Sequence, residues 1–388
     1  KGTIGANSIT SSALITNTAE HLNDLAITGN TVYACGLNGT VIYTPDYTSL
    51  IDFVLTNQAT TKHFYGIIIK PGTNQAYTVG ENARLHWCFT TNRTVIKNLF
   101  TFAMKDVHFA DAMNGYAIGD NYNVRHSADA GVTWSVVLPQ NFTGGVPALN
   151  AIHTTQDNTA VTVGNNNYIA TIANNTAAKV TAGNPGPAAR AFTDVMFNGN
   201  TGYAVGRTDA GTTGIFTRSI NGGFTWSAET QTPGTQWNTV HVFRNNSFLA
   251  AGTNGTVGYS ANGVTIATAG YTPTGFASVT FNDIYFHDDV NGYLTGNNGV
   301  VLKSDQNTSL DNNGLLNPLT WRRMRTDDNL NTQTDSTLMN IRTISAPFPS
   351  SGGSIGYAFM GGDYNGTPVN YARIIRDEAL RWSVYHWY

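Results

Sequence analysis

A short apolar segment returns eight times along this 388-residue chain, beginning at Leu22, Phe64, Met104, Leu149, Phe192, Trp237, Phe281 and Leu338. Successive starts lie 42, 40, 45, 43, 45, 44 and 57 residues apart, room for four strands of about five to six residues with their turns. Within each repeat a second apolar run ends in glycine, at Gly36, Gly80, Gly119, Gly164, Gly206, Gly252, Gly296 and Gly361. Asn-Gly pairs often follow, as at Asn38-Gly39, Asn254-Gly255 and Asn298-Gly299, where both residues tolerate the positive φ of a tight hairpin. A third apolar run comes next, Val41 to Tyr43 or Val300 to Leu302, and then a weaker fourth of the kind an outer edge strand shows. A four-stranded unit that cannot bury both faces alone must stack on its neighbours, and strand-only repeats of this length do so radially.

The expected fold is therefore all-β, a single β-propeller of four-stranded antiparallel blades spanning residues 21–388. Eight repeats imply eight blades, or seven if one repeat packs outside the ring. Residues 1–20 form an N-terminal segment in which Ser12 to Ile15 could add a closure strand, and the last repeat ends in a fourth strand from Arg381 to Tyr388. A β-solenoid is the competing architecture, but its coils are normally shorter and lack hairpin turns.

Charged residues make up 12% of the chain and Gly numbers 40, a balance that favours strands and tight turns over surface helices. A net charge of −3 gives no global attraction to nucleic acid or to an anionic membrane. The longest apolar stretches, such as Tyr65 to Ile69, are far short of the roughly 20 residues that cross a bilayer as a helix. The chain begins at Lys1 with neither Met nor a leader, which reads as a processed protein or a fragment. Lys is scarce, 7 against 14 Arg, and Asn, Thr and Gly fill the turns, so an extracellular, cell-surface or periplasmic location is expected on composition. Cys35 and Cys88 each sit in an apolar strand pattern and read as small buried hydrophobes, with an inter-repeat disulfide as the alternative.

Between the third and fourth strands lies Ser127, Asp129, Gly131, Thr133 and Trp134, and the same spacing returns as Ser219, Asn221, Gly223, Thr225 and Trp226. The logic is local: Asp or Asn accepts from turn amides, Gly takes a strained φ, Thr leads into the next strand and Trp packs between blades. This pattern resembles the Asp-box, or bacterial neuraminidase repeat, and degenerate copies occur at Ser260, Asn262 and Gly263 and at Ser304 and Asp305. With the first-strand segments at Asp106 to Phe109 and Asp194 to Phe197 and the second-strand segments at 114–119 and 201–206, the chain is most similar to photosystem II stability/assembly-factor-like propellers. The resemblance implies the fold and a protein-binding role, specific for architecture and weak for activity. That family's usual ring is seven-bladed.

Asp-boxes also occur in sialidases, so a glycoside hydrolase with its site at the channel mouth is the alternative function. The arginine signature near the N-terminus is missing, and Glu20, Glu81, Glu229 and Glu378 are the whole supply of Glu. Nine dispersed His residues lack metal spacing; His63, His108, His153, His241 and His287 fall near first strands, where packing or channel lining outweighs a ligand ring. No cofactor is expected. The insertion with Asp305, Asn307, Ser309 and Asp311 resembles the opening of a calcium loop, but Leu310 and Leu316 stand where Gly and Glu belong, so a structural loop is favoured.

The expected function is a non-catalytic binding or assembly scaffold that docks a protein or glycan, either as an assembly factor or as one module of a larger surface protein or assembly. Turns between second and third strands surround one end of the channel with the blade connections. The turns carry Glu81, Arg84, Asp120, Tyr122, Arg207, Asp209, Asp363 and Tyr364, and the connections Arg190 and Trp237. A second candidate patch is Arg322, Arg323, Arg325, Arg342, Arg373, Arg376 and Arg381, half of all the arginines within 60 residues, against which stands an ordinary charged edge. Asn38, Asn92, Asn141 and Asn254 open glycosylation sequons that an Asn/Thr-rich chain also makes by chance.

Overall fold

A computed structural model of the chain describes residues 20, 22–45, 54–55, 61–69, 73, 75–81, 84–88, 94–98, 104–111, 113–140, 147–155, 159–173, 176–179, 190–269, 271–286, 292–304, 321–323, 339–345, 355–364, 372–378 and 381–385. Their regular structure is β-strand, broken by single 3-10 turns such as Leu37–Gly39 and Thr253–Gly255. The strands pair into eight sheets, one for each repeat, and six of these are four-stranded with strands in chain order. Leu22–Thr28 of the first sheet lies against Met339–Ser345 and Ile355–Tyr364 of the last. The architecture is a β-propeller.

Two sheets depart from the four-stranded expectation. The fourth gains a fifth strand, because the chain leaving the third sheet lays Leu138–Gln140 parallel to Thr176–Lys179 on its outer edge. The sixth has only three strands, Trp237–Val242, Phe248–Gly252 and Val257–Ser260. Pro273 and Gly275 in the stretch that follows disfavour a ladder. Tyr259 instead exchanges two 2.8 Å bonds with Ala267, and the Thr272 hydroxyl donates to the Val257 carbonyl at 2.8 Å, so this edge is covered without a full strand.

The core is a chain of clusters between successive sheets. Tyr33, Cys35 and Val41 of the first sheet meet Phe64 and Ile67 of the second; Tyr203, Val205 and Phe216 of the fifth meet Trp237 and Val240 of the sixth. Each large side chain fully buried in this way stabilises the stack by about 2 kcal/mol. Within a sheet, second-strand tyrosines face an aromatic or a cation on the third strand. Tyr33 stacks on Tyr43 at 5.7 Å and Tyr116 on His126 at 4.7 Å, while the Arg218 guanidinium and the Lys303 ammonium lie 6.0 and 5.9 Å from the rings of Tyr203 and Tyr293. The backbone register also sets Tyr77 opposite Trp87 and Tyr357 opposite Arg376.

The Asn-Gly turns take the expected conformations: Asn38 and Gly39 have φ of 49° and 77°, Asn254 and Gly255 57° and 63°. The second-strand glycines Gly80, Gly164, Gly206, Gly252 and Gly296 have a different cause. A Cβ on Gly206 would lie 2.0 Å from the Ala191 carbonyl oxygen, and one on Gly252 1.6 Å from that of Gln236. Close approach to the start of the first strand excludes any side chain there.

Candidate functional site at the channel mouth

Every innermost strand carries a β-bulge, after its first paired residue in six sheets and after its third in the fifth and eighth, seen as register breaks at Leu22/Asp24, Phe64/Gly66, Leu149/Ala151, Phe192/Asp194, Trp237/Thr239, Phe281/Asp283 and Ile341/Thr343, and at the equivalent point opposite Ile118/Gly119 in the third sheet. The bulged residue is Asn23, Tyr65, Lys105, Asn150, Thr193, Asn238, Asn282 and Arg342 in turn. Bulges re-aim side chains, and here four of them clasp the next sheet. The amides of Asn23, Asn150 and Asn238 donate to the carbonyls of Phe64, Phe192 and Phe281 at 2.6, 2.8 and 2.8 Å, and the Thr193 hydroxyl donates to Trp237 at 2.8 Å. Asn282 is of the same type. Tyr65, Lys105 and Arg342 break the rule.

The next position alternates. Asp24, Asp106, Asp194 and Asp283 occupy it in the odd sheets, and Gly66, Ala151, Thr239 and Thr343 in the even ones. Asp24 accepts the N–H of Leu25 and of Ile67 in the next sheet, both at 2.8 Å. Asp106 takes those of Val107 and Ile152 at 2.8 and 2.9 Å, and Asp194 those of Val195 and Val240 at 2.8 and 2.9 Å. Each carboxylate thus ties two sheets together at the channel. Burial pushes the Asp106 carboxyl up to about 7, against the pull of its two amide bonds, with the charges of Asp24 and Asp194 adding to the rise. Burial raises Asp194 as well.

Two residues further along stand His108, His153 and His241. The first two stack with ring centroids 4.4 Å apart, and the Thr154 hydroxyl pairs with His108 Nδ1 at 2.9 Å. Burial lowers all three, His153 and His241 to about 4, so they are neutral packing groups. Among the described residues no set of three His, Cys, Asp or Glu side chains is placed to hold a metal. His63 lies at a sheet connection, where its Nδ1 accepts the Asn38 N–H at 3.0 Å; His287 and the calcium-loop candidates Asp305, Asn307, Ser309 and Asp311 lie outside the described residues.

At the mouth the second and third sheets bring four sequence-distant polar groups together. The Tyr65 ring is 36% exposed, and its hydroxyl donates to Glu81 Oε1 at 3.4 Å. Glu81 Oε2 accepts the His63 N–H at 3.2 Å, and Lys105 pairs with Asp120 at 2.7 Å. Tyr65 is raised by partial burial first and then by the charges of Glu81 and Asp120, which places both carboxylates beside its ring. Glu81 and Asp120 were expected at this rim; Tyr65 and Lys105 were not singled out, although comparison of the eight bulged positions exposes them.

The other candidates divide. Asp209 is exposed on the second-to-third-strand connection of the fifth sheet, whereas Arg207 is half-buried near the end of the second strand, paired with Ala191 and Gly214. Arg84 begins the third strand of the second sheet, and Asp363 and Tyr364 end the second strand of the eighth, opposite Asn340 and Met339. Tyr122 is half-buried and its hydroxyl meets that of Tyr168. Arg190 donates through Nε to both oxygens of Glu229 at 3.0 Å, a mostly buried ion pair that ties the fifth sheet's first strand to its outer edge. Trp237 is fully buried, so it packs the core instead of offering itself to a partner, because the bulge turns its neighbour Asn238 outward in its place. In the arginine-rich patch Arg323 is exposed over the Phe276 ring at 5.6 Å, while Arg322, Arg373, Arg376 and Arg381 lie on strands, paired with Lys303, Met360, Tyr357 and Glu378. Arg325 lies outside the described residues, and Arg342 is the bulged residue already met.

The opposite end of the molecule carries the two repeated turns. Ser127 Oγ accepts the Gly131 N–H at 2.7 Å, Asp129 accepts the Thr133 N–H at 2.7 Å and its hydroxyl at 2.6 Å, and the Trp134 indole donates to the Gly131 carbonyl at 3.0 Å. Ser219, Asn221, Gly223, Thr225 and Trp226 repeat this wiring at 2.9 Å, with one bond reversed: the Asn221 amide donates to the Thr225 hydroxyl. A Cβ on Gly131 would meet the Tyr77 ring of the preceding sheet at 2.6 Å. These turns are packing devices.

No protein-family model and no curated protein matches the sequence. Solved structures do match in shape. YCF48 bound to a D1 peptide aligns with 92% of this chain and 95% of its own at a TM-score of 0.54 and 12% identity; YCF48 from Cyanidioschyzon merolae gives 91%, 96%, 0.55 and 12%. The C-terminal WD40 domain of Sif2 aligns with 95% of this chain and 100% of its own at a TM-score of 0.66 and 12% identity. An ancestral GH74 enzyme aligns with 97% of this chain and 48% of its own at 0.58 and 13%. The chain shares the β-propeller fold of these proteins.

Proposed function

We propose that this chain is a non-catalytic binding or assembly scaffold, an eight-bladed propeller working outside the cytoplasm, that docks a protein partner over the mouth of its channel. The observation that carries the reading is the break in the bulge rule: at three of eight equivalent positions the structural Asn or Thr is replaced by Tyr65, Lys105 and Arg342, side chains suited to contact. The likeness in fold to YCF48, which was solved with a peptide, and the likeness of the turns at 127–134 and 219–226 to Asp-boxes support it.

A hydrolase reading draws on the GH74 neighbour and on Asp106, whose raised carboxyl would suit a general acid. Both oxygens of Asp106 nevertheless accept backbone N–H groups from two sheets, a use that needs no substrate. Selection of peptides from a displayed library against the folded chain, followed by binding to Lys105→Glu and Asp120→Lys, tests the scaffold reading. It expects selected peptides to lose affinity at least tenfold with these variants. Affinity unchanged in both, or turnover on a panel of glycans abolished by Asp106→Asn, would overturn it.

A further inference from the structure

The structural rule at the bulge gives Tyr65 its meaning. An exposed ring replaces a clasp residue only at the cost of an inter-sheet hydrogen bond, which in four of the other sheets is made by Asn23, Asn150, Thr193 and Asn238. Losing that bond works against folding, so the ring must be held there by something else. Beside it Glu81 takes its hydrogen bonds from neutral donors, the His63 N–H and the Tyr65 hydroxyl, whereas Asp120 is already matched by Lys105 at 2.7 Å. An exposed aromatic face next to a carboxylate that no cation in the described residues neutralises is the complement of a cation with a flat or alkyl body.

We infer that Tyr65 and Glu81 form the seat for an arginine or lysine side chain of the partner protein, at the mouth between the second and third sheets. The cation lies over the Tyr65 ring and donates to Glu81, and the Lys105–Asp120 pair borders the seat on the third sheet. This inference rests on the docking reading above and adds the chemistry of what is docked.

Tyr65→Asn is the decisive variant: it changes no charge and installs the residue that the fold uses at four equivalent bulges, so loss of folding is not expected. Fluorescence anisotropy at low ionic strength, with a labelled peptide alternating arginine and glycine and its citrulline counterpart, reads the contact. Binding of the arginine peptide alone is expected, weakened about tenfold by Tyr65→Asn and by Glu81→Gln and unaltered by Asp111→Asn, which removes the same charge in a turn at the opposite end of the molecule. Equal binding of the citrulline peptide, no binding of either, or Tyr65→Asn and Glu81→Gln no weaker than Asp111→Asn would overturn the inference. If library-selected acidic or neutral peptides still depend on Lys105 and Asp120, the docking reading survives and only the cationic seat falls.

Discussion

Asn238 shows what a single bulged residue contributes: its amide spans from the sixth sheet to the Phe281 carbonyl of the seventh at 2.8 Å. Removing it leaves that carbonyl without its donor, so Asn238→Ala should cost about 1–2 kcal/mol in denaturant unfolding. Tyr65→Asn should do the opposite and hold or raise stability by up to about 1 kcal/mol, by supplying a clasp that the second sheet lacks. A gain in stability coupled to a loss of binding is the signature of a residue kept for contact. Arg190 is the contrary case. Its mostly buried pair with Glu229, at 3.0 Å, would leave a carboxylate without its cation in Arg190→Ala, and a loss of about 3 kcal/mol should be read from the same experiment.

At the scale of the strand, the first strands hold a set of buried titrating groups. His108, His153 and His241 are kept neutral by burial and take protons only once unfolded, so the unfolded chain binds more protons at these sites between about pH 6.5 and 4. Asp106 and Asp194 act the other way: raised carboxyls bind protons in the folded chain first, which favours folding as pH falls, for Asp106 from about 7. Three histidines against two carboxyls give a net loss of stability on acidification, measurable as a falling melting temperature from pH 6.5 to 4.5. Asp106→Asn removes part of the opposing contribution, so its fall should be steeper than that of the parent chain.

These strands were also where the sequence was most legible. Period, strand order and Asn-Gly turns follow from spacing and turn chemistry alone, and the two Ser-to-Trp turns have the hydrogen bonds their residue types predict. The bulge was not visible, because one extra residue leaves the apolar pattern nearly unchanged while reversing which neighbour faces out; that is why Trp237 read as a rim residue and is core. The parallel strand Leu138–Gln140 and the three-stranded sixth sheet depend on what the neighbouring edge offers, which no local pattern encodes.

For the whole molecule, the two ends have different characters. Exposed large hydrophobics among the described residues, Met113, Val132, Val136, Ile220, Phe224 and Val264, belong to the turns and outer strands opposite the mouth, and Tyr65 alone stands at the mouth. The polar end is held open by the clasps and by Asp24, Asp106 and Asp194, each bonded to two sheets, so its side chains are presented by a rigid ring. A docking surface built this way needs little rearrangement on binding. Hydrogen exchange of the chain with and without a library-selected peptide tests the docking claim most directly. The account predicts slowed exchange at residues 61–66, 81, 104–106 and 120–123, with the turns at 127–133 and 219–225 unchanged. Protection confined to those turns, with the mouth exchanging as in the free chain, would contradict it.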